Sequence, residues 1–178
     1  KVQVEHFYNP NATYGSAQVA KQKIEEAKKL IAHNLGAKST EIILTSGGSE
    51  SNNLAVRGAL EANPGSKILV SAIEHESVLE PTSLYQNQLL KVDKNGFVDL
   101  GELSKKINDD VVLVSVAQAN NEIGTVQPLK QICQIIEQAR HDRAKRGVKR
   151  PLYLHSDSCQ AAGYLDIQGF YTLGQTSS

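Results

Sequence analysis

Residues 41–53, Glu-Ile-Ile-Leu-Thr-Ser-Gly-Gly-Ser-Glu-Ser-Asn-Asn, hold the ingredients of an anion site. An apolar, β-type run at Ile42 to Leu44 breaks at Gly47-Gly48 and passes into a helix-forming segment that opens on Ser49 and Glu50. Paired glycines allow a tight turn and a close approach to a ligand. A helix that starts there aims free N–H groups and the positive end of its dipole outward, and Ser49 adds a hydroxyl. Those are the parts of a phosphate cup. Three further clusters carry chemistry: Glu74-His75-Glu76 offers an imidazole, Asn120-Asn121-Glu122-Ile123-Gly124 offers amides, and Asp157 with Gln160 offers a carboxylate and another amide.

The elements that must position these clusters alternate along the chain. Residues 17–35 place Ala20, Ile24, Ala27, Ile31 and Leu35 on one helical face, with Gly36 as a stop. A strand at 41–46, a helix at about 49–62, a turn at Asn63-Pro64-Gly65 and a strand at 67–72 follow. Next come a helix around 76–87, a short strand at 88–92 and a turn at Lys94-Asn95-Gly96. The remainder reads as a helix at 99–107, a buried strand at 111–117, a long helix at 128–146 and a strand at 151–156. Continuous apolar strands between helices predict an α/β fold, a mainly parallel sheet with helices on both faces. In such sheets ligands collect beyond the carboxyl ends of the strands. Each of the four clusters follows one of the expected strands, so all four converge on one edge.

Singly, each cluster has a bland reading. Gly47-Gly48-Ser49 suits a strand-to-helix turn with a cap, His75 a capping imidazole, Asn120-Asn121 a turn, and Asp157 a helix N-cap. Jointly they suit pyridoxal 5'-phosphate, which needs its phosphate cradled, its ring sandwiched and its pyridine nitrogen kept protonated. A buried Asp does the last, because a carboxylate stabilises the pyridinium charge. His75 could stack on the ring, and Asn121 and Gln160 could hydrogen-bond the ring oxygen.

Composition sets bounds. The 178 residues include 40% hydrophobic ones, enough for a core, and 19 basic residues balance 19 acidic ones. Nothing in that balance suggests a nucleic acid or an anionic membrane as partner. The basic run from Arg140 to Arg150 reads as a solvated helix end. No apolar stretch approaches the ~20 residues of a membrane span, and no signal-peptide pattern appears. Cys133 and Cys159 form no metal or redox spacing, so no metal is expected and a reducing compartment fits. Cys159, beside Asp157, reads as a packed small thiol, and Cys133 as core. The chain has no Met and opens on Lys1, which reads as a piece of a longer protein.

Thr45-Ser46-Gly47-Gly48-Ser49-Glu50-Ser51-Asn52-Asn53, Glu74-His75, Asn120-Asn121-Glu122-Ile123-Gly124 and His155-Ser156-Asp157 with Gln160 closely resemble the cysteine desulfurases. These belong to the class V group of fold type I pyridoxal phosphate enzymes, and the resemblance runs from about Asn9-Pro10 to about Ile167. It implies that Gly48 and Ser49 bind the cofactor phosphate, that His75 stacks on the ring and is the catalytic candidate of this segment, that Asn121 and Gln160 contact the ring oxygen, and that Asp157 pairs with the pyridine nitrogen. It implies a single partial large domain over 1–178, with a smaller C-terminal domain and an N-terminal segment elsewhere. The implied activity takes sulfur from L-cysteine as an enzyme persulfide and releases L-alanine. A homodimer, a sulfur-acceptor protein and a cytoplasmic or mitochondrial location are implied as well. Downstream, the resemblance admits iron–sulfur cluster assembly, tRNA thiolation or selenium recycling.

The family's Schiff-base lysine, in a Ser-x-His-Lys motif, and its sulfur-accepting cysteine have no matching position here, and no Lys follows Asp157. The isolated chain is therefore expected to hold cofactor noncovalently and to lack turnover. Two alternatives stay open: a selenocysteine lyase or other class V lyase, acting on L-selenocysteine, and a non-catalytic truncated paralogue.

Overall fold

A computed structural model describes residues 7–165. Two compact units divide at Leu44 and Thr45. The first contains helix α1, Gly15–Leu35, closed by Gly36 in the left-handed conformation (φ 69°). The Ala37 N–H reaches back to the Ala32 carbonyl at 2.8 Å, the bond that satisfies an open helix end. Its expected apolar face is realised in part. Ala20 is buried and Ile24 and Leu35 are half-buried, whereas Ala27 and Ile31 are exposed. A 3-10 turn follows at Ser39–Glu41.

The strand expected at 41–46 does not form. Ile43 is 70% exposed and the described sheet has four strands, all later in the chain. Apolar composition favours an extended segment, but a strand exists only where its N–H and C=O groups meet those of a neighbour.

The second unit contains α2 (Gly48–Glu61), β1 (Lys67–Ser71), α3 (Glu76–Thr82), β2 (Gln86–Leu90), α4 (Leu100–Lys106), β3 (Val111–Ser115), α5 (Leu129–Lys145) and β4 (Tyr153–His155). All strand pairs are parallel, in the order β2-β1-β3-β4. Helix α3 is shorter than expected, and β2 starts at Gln86 because an edge strand leaves polar side chains in water while its backbone pairs.

Helices cover both faces. Leu69, Val111, Val114 and Val116 pack with Leu103 of α4 and with Leu129, Ile132 and Ile136 of α5. Ile68, Val70, Val112 and Leu113 pack with Val56 and Leu60 of α2 and Val78 of α3. The alternation of Ile68, Leu69 and Val70 is the two-residue period of a strand. The register slips where Lys67 faces Val111 and Ile68 faces Leu113, so Val112 is an extra, bulged residue and shares its face with Leu113. At about 1.5–3 kcal/mol for each fully buried aliphatic side chain, these two layers give the strand ends a rigid base.

The basic run from Arg140 to Arg150 is not simply a solvated helix end. Arg143 is 3% exposed, and its guanidinium donates to the carbonyls of Val111 (2.7 Å), Pro151 (3.3 Å) and Asn108. It closes the amino end of β3 and the approach to β4. The signal lay in periodicity: Leu129, Ile132, Ile136 and Arg143 follow the buried helical stripe. Cys133 on the same helix is buried, as expected.

Candidate active site

Chain order and spatial order diverge at the centre of the sheet. β1 leads to β2 on one side, whereas β3 leads to β4 on the other. The crevice beyond the carboxyl ends of β1 and β3 is therefore the switch point at which open α/β sheets bind ligands. A cavity of about 230 Å³ lies there. Gly48, Ser49, His75, Asn121, Asp157 and Gln160 all line it, together with Ile73, Ser77, Ala117, Ala119, Asn120 and Cys159.

Helix α2 brings its amino end to this cavity. Its first N–H groups have no intrahelical acceptor. Glu50 Oε2 folds back to accept the Ser46 N–H (2.6 Å) and hydroxyl (2.7 Å), so this carboxylate is held below its usual range by those donors and is turned upstream. The two glycines differ in what they do. Gly47 is extended (φ 165°), a conformation open to any residue, and a side chain there would meet nothing. A Cβ on Gly48 would stand 3.1 Å from Cys159 Sγ, so the close approach belongs to Gly48 alone.

β1 delivers Glu74 and His75. The Ser77 N–H, which can only donate, reaches His75 Nδ1 at 3.1 Å, and Ser77 Oγ lies 2.8 Å from the same nitrogen. Nδ1 is thereby fixed as acceptor, the ring proton sits on Nε2, and the exposed imidazole is oriented at the cavity. β3 delivers the amide pair, and its two members divide the work. Asn120 builds the turn: its Oδ1 accepts from Glu122 and Ile123, and its Nδ2 donates to the Ile73 carbonyl at 2.9 Å. Asn121 is exposed on the cavity wall. Buried Gln127 steadies this loop by donating to the Gly96 carbonyl (2.6 Å) and accepting the Val98 N–H (3.0 Å).

β4 delivers Asp157. Its Oδ1 accepts the Cys159 N–H and its Oδ2 the Asn52 amide, each at 2.9 Å. Burial works to raise this carboxyl, but the Cys159 backbone, Asn52, the Cys159 thiol and His155 together hold it below its usual range. Asp157 thus stays ionised and suits a cation. Cys159 is exposed on the rim of the cavity rather than packed, which corrects the expectation from sequence. Its small size gave no sign that the chain turns outward there. The adjacent Asp157 carboxylate accepts from the thiol and pushes it above its usual range, so Cys159 is not an activated nucleophile.

Asn52 and Ser77 escaped sequence reading. Asn52 is buried, and its Nδ2 joins Ser77 Oγ and Asp157 Oδ2, both at 2.9 Å, so one amide links the imidazole support to the carboxylate. Asn52, Val56 and Leu60 form the buried stripe of α2, and an amide in such a stripe was the available signal. Asn52→Ala is expected to cost about 1–2 kcal/mol, the usual consequence of leaving buried polar partners unmatched. Urea denaturation measures it, and an unchanged midpoint would dissolve this bridge.

The donor set matches an anionic, ring-bearing cofactor. Helix N–H groups and Ser49 suit a phosphate, a Cβ on Gly48 would crowd the Cys159 thiol beside it, and Asp157 suits a protonated ring nitrogen. Among the described residues no cluster of His, Cys, Asp and Glu could hold a metal, and no helix is long and apolar enough to cross a membrane.

The aminotransferase class-V family model matches residues 3–161. The cysteine desulfurase IscS of Dictyoglomus turgidum is 38% identical over 170 residues, covering 92% of this chain and 40% of that protein. A solved NifS-like protein superposes with a TM-score of 0.84 at 29% identity, over 95% of this chain and 46% of its own. A structure described as SspA in complex with cysteine gives 0.81 at 31% identity, over 93% of this chain and 47% of its own. The chain thus spans less than half the length of these relatives.

Proposed function

Because the chain belongs to the aminotransferase class V family, we propose that it forms the pyridoxal 5'-phosphate-binding part of a cysteine desulfurase. The convergence of Gly48, Ser49, His75, Asn121, Asp157 and Gln160 on one cavity carries this reading. The relatives named cysteine desulfurase and the cysteine-bound neighbour support L-cysteine as substrate, with L-alanine and an enzyme persulfide as products.

When bound, pyridoxal phosphate supplies an electron sink for bonds at the substrate α-carbon. The chain's own residues do the rest. The α2 amino end, Gly48 and Ser49 hold the phosphate. Asp157 keeps a proton on the ring nitrogen through charge pairing. Asn121 and Gln160 orient the ring through its oxygen. His75, steadied by Ser77, would stack on the ring and carry a proton at Nε2 that could move to or from substrate. The covalent lysine and the persulfide cysteine belong to the rest of the protein in this reading, as do a homodimeric partner, a sulfur-acceptor protein and a small C-terminal domain. Both described cysteines are free thiols, which supports a reducing compartment such as the cytoplasm or a mitochondrion.

The test is to titrate the full-length protein with pyridoxal 5'-phosphate, follow the visible cofactor band, and then add L-cysteine or L-selenocysteine. Binding, followed by alanine and sulfide from L-cysteine, is expected. Selenide release in place of sulfide would move the assignment to a selenocysteine lyase. Absence of the band would remove the cofactor reading.

A further inference from the structure

The least expected group at the crevice is Glu74. It leaves the end of β1 at 6% exposure, and its Oε1 accepts the Ala117 N–H, beyond the end of β3, at 2.5 Å. Among the described residues its Oε2 is buried without a hydrogen-bond partner of ordinary geometry, the nearby Ser115 hydroxyl being engaged with His155 Nδ1. An ionised carboxylate has only acceptor sites, and burying one with an orphan oxygen and no cation is among the costlier arrangements a fold can hold. Among the described residues, the groups that act on it supply no positive charge. Asp157, beyond β4, is itself ionised and repels a second anion. Ser115 of β3 offers a hydroxyl, which also bonds His155 Nδ1 at 2.9 Å. Burial above all, with Asp157 opposing, lowers the His155 imidazole below its usual range and so favours its neutral form. His75, next along the chain, is exposed and turned to Ser77.

We propose that Glu74 is a positioning residue that works as a neutral carboxylic acid, joining the ends of β1 and β3 through Ala117 and leaving Asp157 as the one carboxylate charge of the crevice among the described residues. The inference rests on the cofactor reading for its purpose: one protonated ring nitrogen then meets one carboxylate, with no second buried anion beside it. Burial pushes the Glu74 carboxyl up to about 7, Asp157 adds to the rise, and the Ala117 N–H and Ser115 oppose it. An acid whose folded value lies above its unfolded value contributes stability that is complete below about 4.5 and is lost as pH rises through about 7.

The experiment uses cofactor-free full-length protein as wild type, Glu74→Gln and Glu74→Ala. Carboxyl NMR, with the resonance assigned by its loss in Glu74→Gln, is expected to show Glu74 titrating near 7. Between pH 5 and 8 the wild-type unfolding constant should rise about a hundredfold relative to that of Glu74→Gln, which keeps the shape and cannot ionise. Pyridoxal 5'-phosphate binding at pH 6 should weaken about tenfold in Glu74→Ala, because the Ala117 N–H loses its acceptor, and be rescued by Glu74→Gln. Titration at the ordinary glutamate value, or identical pH dependence in wild type and Glu74→Gln, overturns the proposal. If Glu74→Ala does not fold, the titration and Glu74→Gln decide alone. A Glu74 midpoint near 7 in a wild-type protein that binds no cofactor would uphold the neutral acid and sink the cofactor reading instead.

Discussion

Asp157→Ala is expected to lower turnover of the cofactor-loaded full-length protein by on the order of a hundredfold or more, the scale on which a preorganised charge partner acts in a water-poor site. The carboxylate is already ionised and oriented: the Cys159 N–H and the Asn52 amide hold its two oxygens at 2.9 Å each. Nothing has to reorganise when a ring nitrogen arrives. Without the carboxylate a bound pyridinium would lose its counter-charge, and the ring would lose much of its power to accept electrons. Folding should suffer less than chemistry, because Asp157 is only half-buried and one of its two partners, Cys159, is exposed on the cavity rim. The check pairs steady-state alanine formation with a melting curve and the absorption spectrum of the loaded variant. Wild-type turnover in a folded, loaded Asp157→Ala protein would remove Asp157 from the site.

Arg143→Ala acts on the opposite end of the sheet and on stability. Truncation strips donors from the carbonyls of Asn108, Val111 and Pro151 and opens a void against α5. Loss of about 3 kcal/mol is expected, since each buried acceptor left unmatched costs on the order of 1 kcal/mol or more. Arg143→Lys should recover only part of it, because an ammonium is a single point of donation and cannot fork across three carbonyls. Denaturation in urea reads both values. A loss below about 1 kcal/mol for Arg143→Ala would show that water replaces the guanidinium at no cost. The proposed site residues stand at the other ends of the strands, so turnover per folded molecule should change little.

Much of the second unit was legible in the chain itself. Ile68, Leu69 and Val70, and the unbroken run from Val111 to Val114, announce strands buried on both faces, and the helical stripes of α2 and α5 announce what covers them. Because ligand sites in such sheets gather at strand ends, the order of elements also placed Gly48, Ser49, His75, Asn121, Asp157 and Gln160 on one edge. Local periodicity and turn chemistry are properties of neighbouring residues, so they survive in the sequence.

Other features depended on what lies across space. Ile42 to Leu44 look like a strand and form none, because pairing belongs to two segments and not to one. Arg143 reads as a solvated charge until the carbonyls of Asn108, Val111 and Pro151 surround it. Asn52 becomes a bridge only when Ser77 and Asp157 stand on either side of it, 25 and 105 residues away. Glu74 looks like any surface glutamate beside a histidine. Its burial, its orphan oxygen and its nearness to Asp157 arise where β1, β3 and β4 come together. Desolvation and charge pairing are set by the whole shell of atoms around a group, and most of that shell comes from distant parts of the chain.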